Sequence, residues 1–541
     1  ALAAGFPAAV PLPGVGTVIF DEFHGRSLNA DLGRFRRLLV ERCSVQVALG
    51  GGQSGISHRE TASPAVGLAA IRGAGVADII AVTVLSGCAP GDLNVNQARC
   101  LPWPAAGFPG MSTYTSTRGG GSASLNEALF RGLAPDGGLF VPDPLPSLGS
   151  GGLSPPPPGD FVESAAWSAE RLLAGQVDGA VVRRITRSAL SFPVPLVEVE
   201  AGVHVLELHH GPSHAFKDVG ARFMANLMSE LDDSEAASTP RTVLVATSGD
   251  TGGAVASAFH GLERYRVVTL FPREGISNRQ RRQMSTLGGN VAAVAVAGTF
   301  DDCQRLAKLA FSQPRIRMRH RLTSANSINV GRLLPQTFYY LHAWILLGGA
   351  PARFVVPSGN LGSLCAGLIA SLAGMPSLGF LAASNANDVF PKYLTTGSFH
   401  PHASLTTISN AMDVGAPSNF ERIQWLFRDD PGALQRTVRG MSISDEETAQ
   451  CIGDVYHRTG YVLDPHAAVA YRAQEQQHGV GDGPTVVLAT AHPAKFPDVV
   501  EKAIGRAVEL PEGLAAIMNV AEHFTHIDPT IDALEAFLDD S

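Results

Sequence analysis

Three short stretches decide how this chain folds: VLVATSGDTG (243–252), FVVPSGNLGS (354–363) and VVLATAHP (486–493). In each, an apolar run ends in a turn of small polar residues. The runs Val243–Ala246, Phe354–Pro357 and Val486–Ala489 read as buried strands, and helical sequence follows the first two most clearly. Buried strands alternating with helices imply an α/β protein with a mainly parallel sheet. Ligands of such sheets sit beyond the carboxyl ends of the strands. The turns Thr247–Gly252, Ser358–Ser363 and Thr490–Pro493 are therefore candidate walls of one shared site.

Composition narrows the class further. The chain has 541 residues, too many for one ordinary core. Its hydrophobic fraction of 45% and charged fraction of 17% fit a globular protein. A net charge of −8 argues against a nucleic-acid surface. No apolar run reaches the roughly 20 residues needed to cross a bilayer, and no secretory signal opens the chain. The six cysteines are scattered without a CxxC pair. They point to neither a disulfide framework nor a metal site, and a cytoplasmic location is expected.

Lysine is scarce. The five are Lys217, Lys308, Lys392, Lys495 and Lys502, against 36 arginines. Lys217 sits in GPSHAFKD (211–218), after the strand-like stretch containing Val203, Val205, Leu206 and Leu208. A lysine among small and apolar neighbours loses hydration, which lowers its pKa and frees the amine for imine chemistry. On its own, that context favours an ordinary lysine at the start of a helix. Ser358–Ser363 could present backbone N–H groups to a phosphate at a helix start. A merely tight strand–helix turn reads equally well there. Thr490 offers a neutral hydroxyl suited to a ring nitrogen.

Upstream, residues 17–32 (TVIFDEFHGRSLNADL) resemble the DEAH-type box of superfamily 2 helicases. A working NTPase also needs GxxxxGK[ST], and no lysine here follows a glycine. The stretch reads as a fragment, and residues 41–110 show no useful periodicity. Further on, Leu125, Ala128, Leu129 and Leu133 share a helical face, and Ser124 with Glu127 makes a capping box. Residues 147–159 read as a loop.

From residue 111 onward, ordered blocks carry a more specific message. They include Ser116-Thr117-Arg118-Gly119, EALFRGLAPDGGLFVP (127–142), SHAFKD (213–218), ATSGDTGGAV (246–255), RRQMSTLGGNV (281–291), SANSINVGRLLPQ (324–336), VPSGNLGSLCAG (356–367), AMDVGAPSNFER (411–422) and TAHPAKFPD (490–498). In this order they resemble the threonine synthase family, in the bacterial and fungal branch of fold-type II pyridoxal-phosphate enzymes. Met111 falls where such an enzyme would begin.

The resemblance implies a tryptophan-synthase-β-like fold with parallel sheets in a large and a small domain, preceded by a small N-terminal domain. The expected boundaries are 1–110 for a dispensable, poorly ordered extension, 111–200 for the N-terminal domain and 201–541 for the catalytic region, with a smaller domain inserted at about 218–350. It implies that pyridoxal 5'-phosphate is held by Lys217 as a Schiff base. Its phosphate would lie against Gly359, Asn360, Leu361, Gly362 and Ser363, its ring nitrogen at Thr490, and Asp250 beside the ring. Leu361 and Ser363 stand where an aromatic and an Asp or Asn are usual, which leaves side-chain contacts in that turn open.

The implied reaction turns O-phosphohomoserine and water into threonine and phosphate. Candidate substrate contacts are Ser116, Thr117, Arg118, Ser248, Thr251, Arg281 or Arg282, Asn326 and Ser327. A monomer or homodimer is expected. The rival readings are another fold-type II lyase, such as a threonine or serine dehydratase, and a helicase-related NTPase.

Overall fold

The computed structural model describes residues 113–149, 155–156, 158–232, 239–477 and 483–540, together with four strands between residues 10 and 85. The chain divides into two units, Ala1–Met111 and Ser112–Ser541. In the first unit, Val10–Leu12, Val15–Phe20, Asp78–Leu85 and Ala65–Arg72 form an antiparallel sheet in that spatial order. The β-branched run of the helicase-like stretch lies in Val15–Phe20, while residues 21–32 fall outside the described residues. Two of these strands arise where the sequence offered no periodicity, because an antiparallel pair draws its register from its partner strand.

Among the described residues the second unit contains three sheets. A six-stranded sheet runs in the order Val438–Ser442, Ser377–Ser384, Ala352–Pro357, Thr485–Ala489, Val203–Glu207, Leu196–Glu200. Its first five strands are parallel and the last pairs antiparallel. A second sheet, wholly parallel, comprises Arg241–Ala246, Tyr265–Pro272, Val291–Val296 and Thr525–Ile527. A small antiparallel sheet of Ser122–Ala123, Thr113–Ser116 and Phe140–Asp143 belongs to the N-terminal region. The predicted α/β architecture is present, but the three diagnostic strands are shared between two sheets. Ala352–Pro357 and Thr485–Ala489 are neighbours in the larger one, and Arg241–Ala246 edges the other.

Three strands of the smaller sheet lie within the insertion expected at 218–350, and the fourth comes from outside it. This edge strand, Thr525–Ile527, comes from the C-terminus, and helix Ile531–Asp540 adds Leu534 and Leu538 to the sheet's core. A three-residue strand carries too little periodicity to be read locally. Conversely, helix Thr337–Leu346 lies inside the expected insertion yet packs on the larger sheet, where Tyr340 meets Phe354 edge-on at 5.0 Å. The helix predicted after Ser124 runs Leu125–Arg131 and has its capping box.

Candidate active site

Lys217 is the first residue of helix Lys217–Leu231. The turn before it is stitched to the end of strand Thr485–Ala489. Phe216 N donates to Thr490 O at 2.9 Å, and His492 N donates to His214 O at 3.1 Å. His214 takes a left-handed conformation, φ +54°, to complete the turn. The amide of Ser213 donates to Asp218 Oδ2 at 2.8 Å, so Asp218 closes the loop rather than neutralising its neighbour. The Ser213 carbonyl accepts from Gln283 Nε2 at 2.7 Å and from Lys495 Nζ at 3.0 Å. Lys217 thus follows directly on a turn pinned to Thr490, and both residues line one cavity.

Lys217 is 14% exposed and lies 3.6 Å from Asp250 Oδ2. Burial pushes its pKa down; Asp250 opposes the shift, while Lys495 and Arg332 add to it. Asp250 opens helix Asp250–Phe259 at the end of strand Arg241–Ala246. Its Oδ1 is taken by Lys495 Nζ at 2.6 Å and Gln280 Nε2 at 2.9 Å. Burial would raise the Asp250 pKa, but Lys495 and then Lys217 outweigh it and hold the carboxyl well below its usual range. The glycines of this turn make the network possible. A Cβ on Gly249, at φ +145°, would fall 2.6 Å from the Gln280 side chain that reaches Asp250.

The turn Ser358–Ser363 leads into helix Gly362–Leu372. The first N–H groups of a helix lack intrahelical partners and attract anions. Leu361 holds φ +60° and is buried. The Ser363 hydroxyl is engaged by Tyr339 at 2.7 Å and Tyr340 at 3.1 Å. Asn360 donates to Ser327 Oγ at 2.6 Å and accepts from Ser418 N at 2.5 Å. These side chains fix the loop, which leaves its backbone to face the cavity. The Ser363 hydroxyl is thus engaged by tyrosines, and Leu361 is buried, although both residues border the cavity.

A cavity of about 980 Å³ brings most of the expected residues together. Lys217, Ser248, Asp250, Thr251, Asn326, Ser327, Gly359 to Ser363 and Thr490 all line it. Ser116, Thr117, Arg118, Arg281 and Arg282 do not. Ser116 donates to Asp136 at 2.8 Å, and the Thr117 hydroxyl donates to Glu421. Arg118, 55% exposed, pairs with Glu421 at 2.9 Å. Arg281 pairs with Glu522 at 2.9 Å, and Arg282 donates to Val520 O at 2.9 Å. Each has an acidic or carbonyl partner that motif membership alone does not disclose.

Three lining or supporting residues escaped the sequence reading. Lys495 and Gln280 secure Asp250. Arg332 is buried, lines the cavity, and donates through Nη1 to Ala325 O, while its Nε has no hydrogen-bond partner among the described residues. Burial lowers its pKa to about 10 against the pull of Asp218. Lysine scarcity was the usable signal for Lys495. Arg332 gave none among 36 arginines.

Comparison with known proteins places this geometry in context. Residues 190–491 match the family profile described as pyridoxal-phosphate dependent enzyme. Residues 113–186 match threonine synthase N terminus, and 467–538 match threonine synthase, C-terminal. The chain is 42% identical to the threonine synthase of Serratia marcescens over 395 residues, covering 72% of this chain and 90% of the relative. Identity to the Escherichia coli K12 threonine synthase is also 42%, covering 72% and 91%. The crystal structure of threonine synthase from Escherichia coli superposes with a TM-score of 0.73 at 38% identity, covering 79% of this chain and 99% of that one. A structure of PLP-bound threonine synthase from Brucella melitensis gives 0.72 at 34% identity, covering 79% and 99%.

Proposed function

We infer the working of this site from one premise: the chain belongs to the threonine synthase family of fold-type II pyridoxal-phosphate enzymes. The residues of the cavity fit that cofactor. A Cβ on Gly359 would lie 2.7 Å from Met412 Cα and 3.2 Å from Ala411 O, so this turn is built around a missing side chain. Backbone N–H groups of residues 359–363 would hold the phosphate. Thr490 would face the ring nitrogen, and Lys217 would hold the cofactor covalently. Gly359→Ala forces the turn apart. Overpacking costs about 1–3 kcal/mol, so cofactor affinity is expected to fall roughly 10- to 100-fold. Titration of the apoenzyme with pyridoxal phosphate, followed by absorbance, measures it.

Pyridoxal phosphate, when bound, supplies an electron-accepting ring that stabilises negative charge on carbons near the substrate amine. The chain supplies the rest. We propose O-phosphohomoserine as the substrate. Lys217 Nζ, whose pKa burial lowers, removes protons at Cα and Cβ and returns them. Phosphate leaves from Cγ, Cγ takes up a proton, and water adds at Cβ to give threonine. Arg332, which lines the cavity and whose Nε has no hydrogen-bond partner among the described residues, is better supported as a donor to the leaving phosphate than Arg118 or Arg281, which do not line it. Ser248 and Thr251 offer hydroxyls to the substrate carboxylate, and Asn326 with Ser327 borders the same space.

The buried, weakly paired Lys217 opposite the glycine turn carries this reading. Equimolar release of phosphate and threonine from O-phosphohomoserine is the expected result. Conversion of threonine to a 2-oxo acid without phosphate release would instead identify a dehydratase. Residues 111–541 alone should retain the activity if the first unit is dispensable, as we propose. Among the described residues no helix is long and apolar enough to cross a membrane. We propose a cytoplasmic monomer or homodimer.

A further inference from the structure

A second cluster of polar side chains lies outside the cavity lining. Strand Val203–Glu207 ends in Glu207, and His209 and His210 follow before the turn that delivers Lys217. Glu207, His209 and His210 each offer one ligand atom, and these atoms lie within 4.8 Å of one another. Glu207 Oε2 accepts from His210 Nε2 at 2.7 Å, and Glu207 Oε1 accepts from Tyr461 OH at 2.8 Å. His209 is only 6% exposed, and its Nδ1 has no hydrogen-bond partner among the described residues. A buried imidazole nitrogen is costly to leave unsatisfied.

We propose that Glu207, His209 and His210 bind one divalent transition-metal ion, with zinc the best fit. Imidazole and carboxylate are the donors zinc takes at about 2.0–2.2 Å. Three such donors around one ion sit roughly 3–3.5 Å apart. Modest side-chain movement therefore closes this cluster on a metal. The Tyr461 hydroxyl on Glu207 is the outer hydrogen bond that orients a ligating carboxylate.

Two further imidazoles adjoin the cluster. His209 faces the His492 ring at 5.2 Å between centroids, and His492 faces His214 at 6.0 Å. His492 Nδ1 accepts from Ala494 N at 3.1 Å, so its hydrogen is on Nε2 and it is not a fourth ligand in this arrangement. Bound there, the ion would clamp the strand end from which the Lys217 turn departs. It has no part in the chemistry at Lys217, and its binding does not depend on which substrate the cavity takes.

The test uses full-length holoenzyme stripped with a chelator and titrated calorimetrically with zinc, then with cobalt(II) for its visible d–d absorption. One zinc per chain is expected. Its affinity should fall by roughly tenfold or more in His209→Phe and in Glu207→Gln. The cofactor's visible band, unchanged in these variants, reports that the fold is intact. If His209→Phe does not fold, Glu207→Gln alone decides. Failure of the wild-type chain to bind zinc overturns the proposal. So does binding that is unaffected in the folded variants, because the ion would then sit elsewhere.

Discussion

Lys217→Ala is expected to remove the visible absorption of the lysine-bound cofactor and to lower turnover by at least on the order of 10³-fold. The choice of this lysine over its neighbour follows from the geometry around Asp250. Both Lys217 and Lys495 approach that carboxylate, but Lys495 lies 2.6 Å from Oδ1 and is fully buried, whereas Lys217 lies 3.6 Å from Oδ2. Lys495 also donates to the Ser213 carbonyl. Lys495 is therefore bound by two acceptors. Lys217 is desolvated, with one distant acceptor and two nearby cations, and its pKa is driven down. The free amine belongs to Lys217. Lys217→Arg should fail as completely, since a guanidinium does not deprotonate in this range. A visible cofactor band in either purified variant would assign the covalent link to another residue.

Sequence sufficed for the strand ends and not for the partners that meet there. Val243–Ala246, Phe354–Pro357 and Val486–Ala489 are fully apolar over four residues, and such runs report burial on both faces. The turns after the first two carry glycines at positions where close approach leaves no room for a Cβ, as Gly249 and Gly359 show. These are local properties. The assignment of Arg118 and Arg281 to substrate rested on motif membership, which does not reveal that Glu421 and Glu522, far along the chain, lie opposite them. Arg332 differs in lacking such a partner at Nε, which only the fold discloses. The edge strand Thr525–Ile527 is likewise created by its pairing with Val291–Val296.

Lys495→Met is expected to lower stability by about 3–5 kcal/mol, the usual consequence of stripping one partner from a fully buried ion pair. Asp250 would keep Gln280 and the more distant Lys217. Its folded-state pKa lies below the ordinary carboxylate value. Its contribution to stability is therefore present above the unfolded pKa and fades as pH falls through the folded one. Loss of Lys495 removes most of that contribution at neutral pH. The same substitution acts on Lys217. Lys495 lowers the Lys217 pKa and Asp250 raises it, so deleting the cation while leaving the anion raises it. Less free amine is then available at neutral pH, and the acid limb of the pH–activity profile should move to higher pH. Asp250→Asn in the same background removes the uncompensated charge and should return both stability and the acid limb towards the wild type. A purely structural role for Lys495 predicts the stability loss without the shifted limb. Denaturant unfolding and pH–rate profiles of the two single variants and the double variant distinguish these outcomes, because neighbouring charges in one network give non-additive energies.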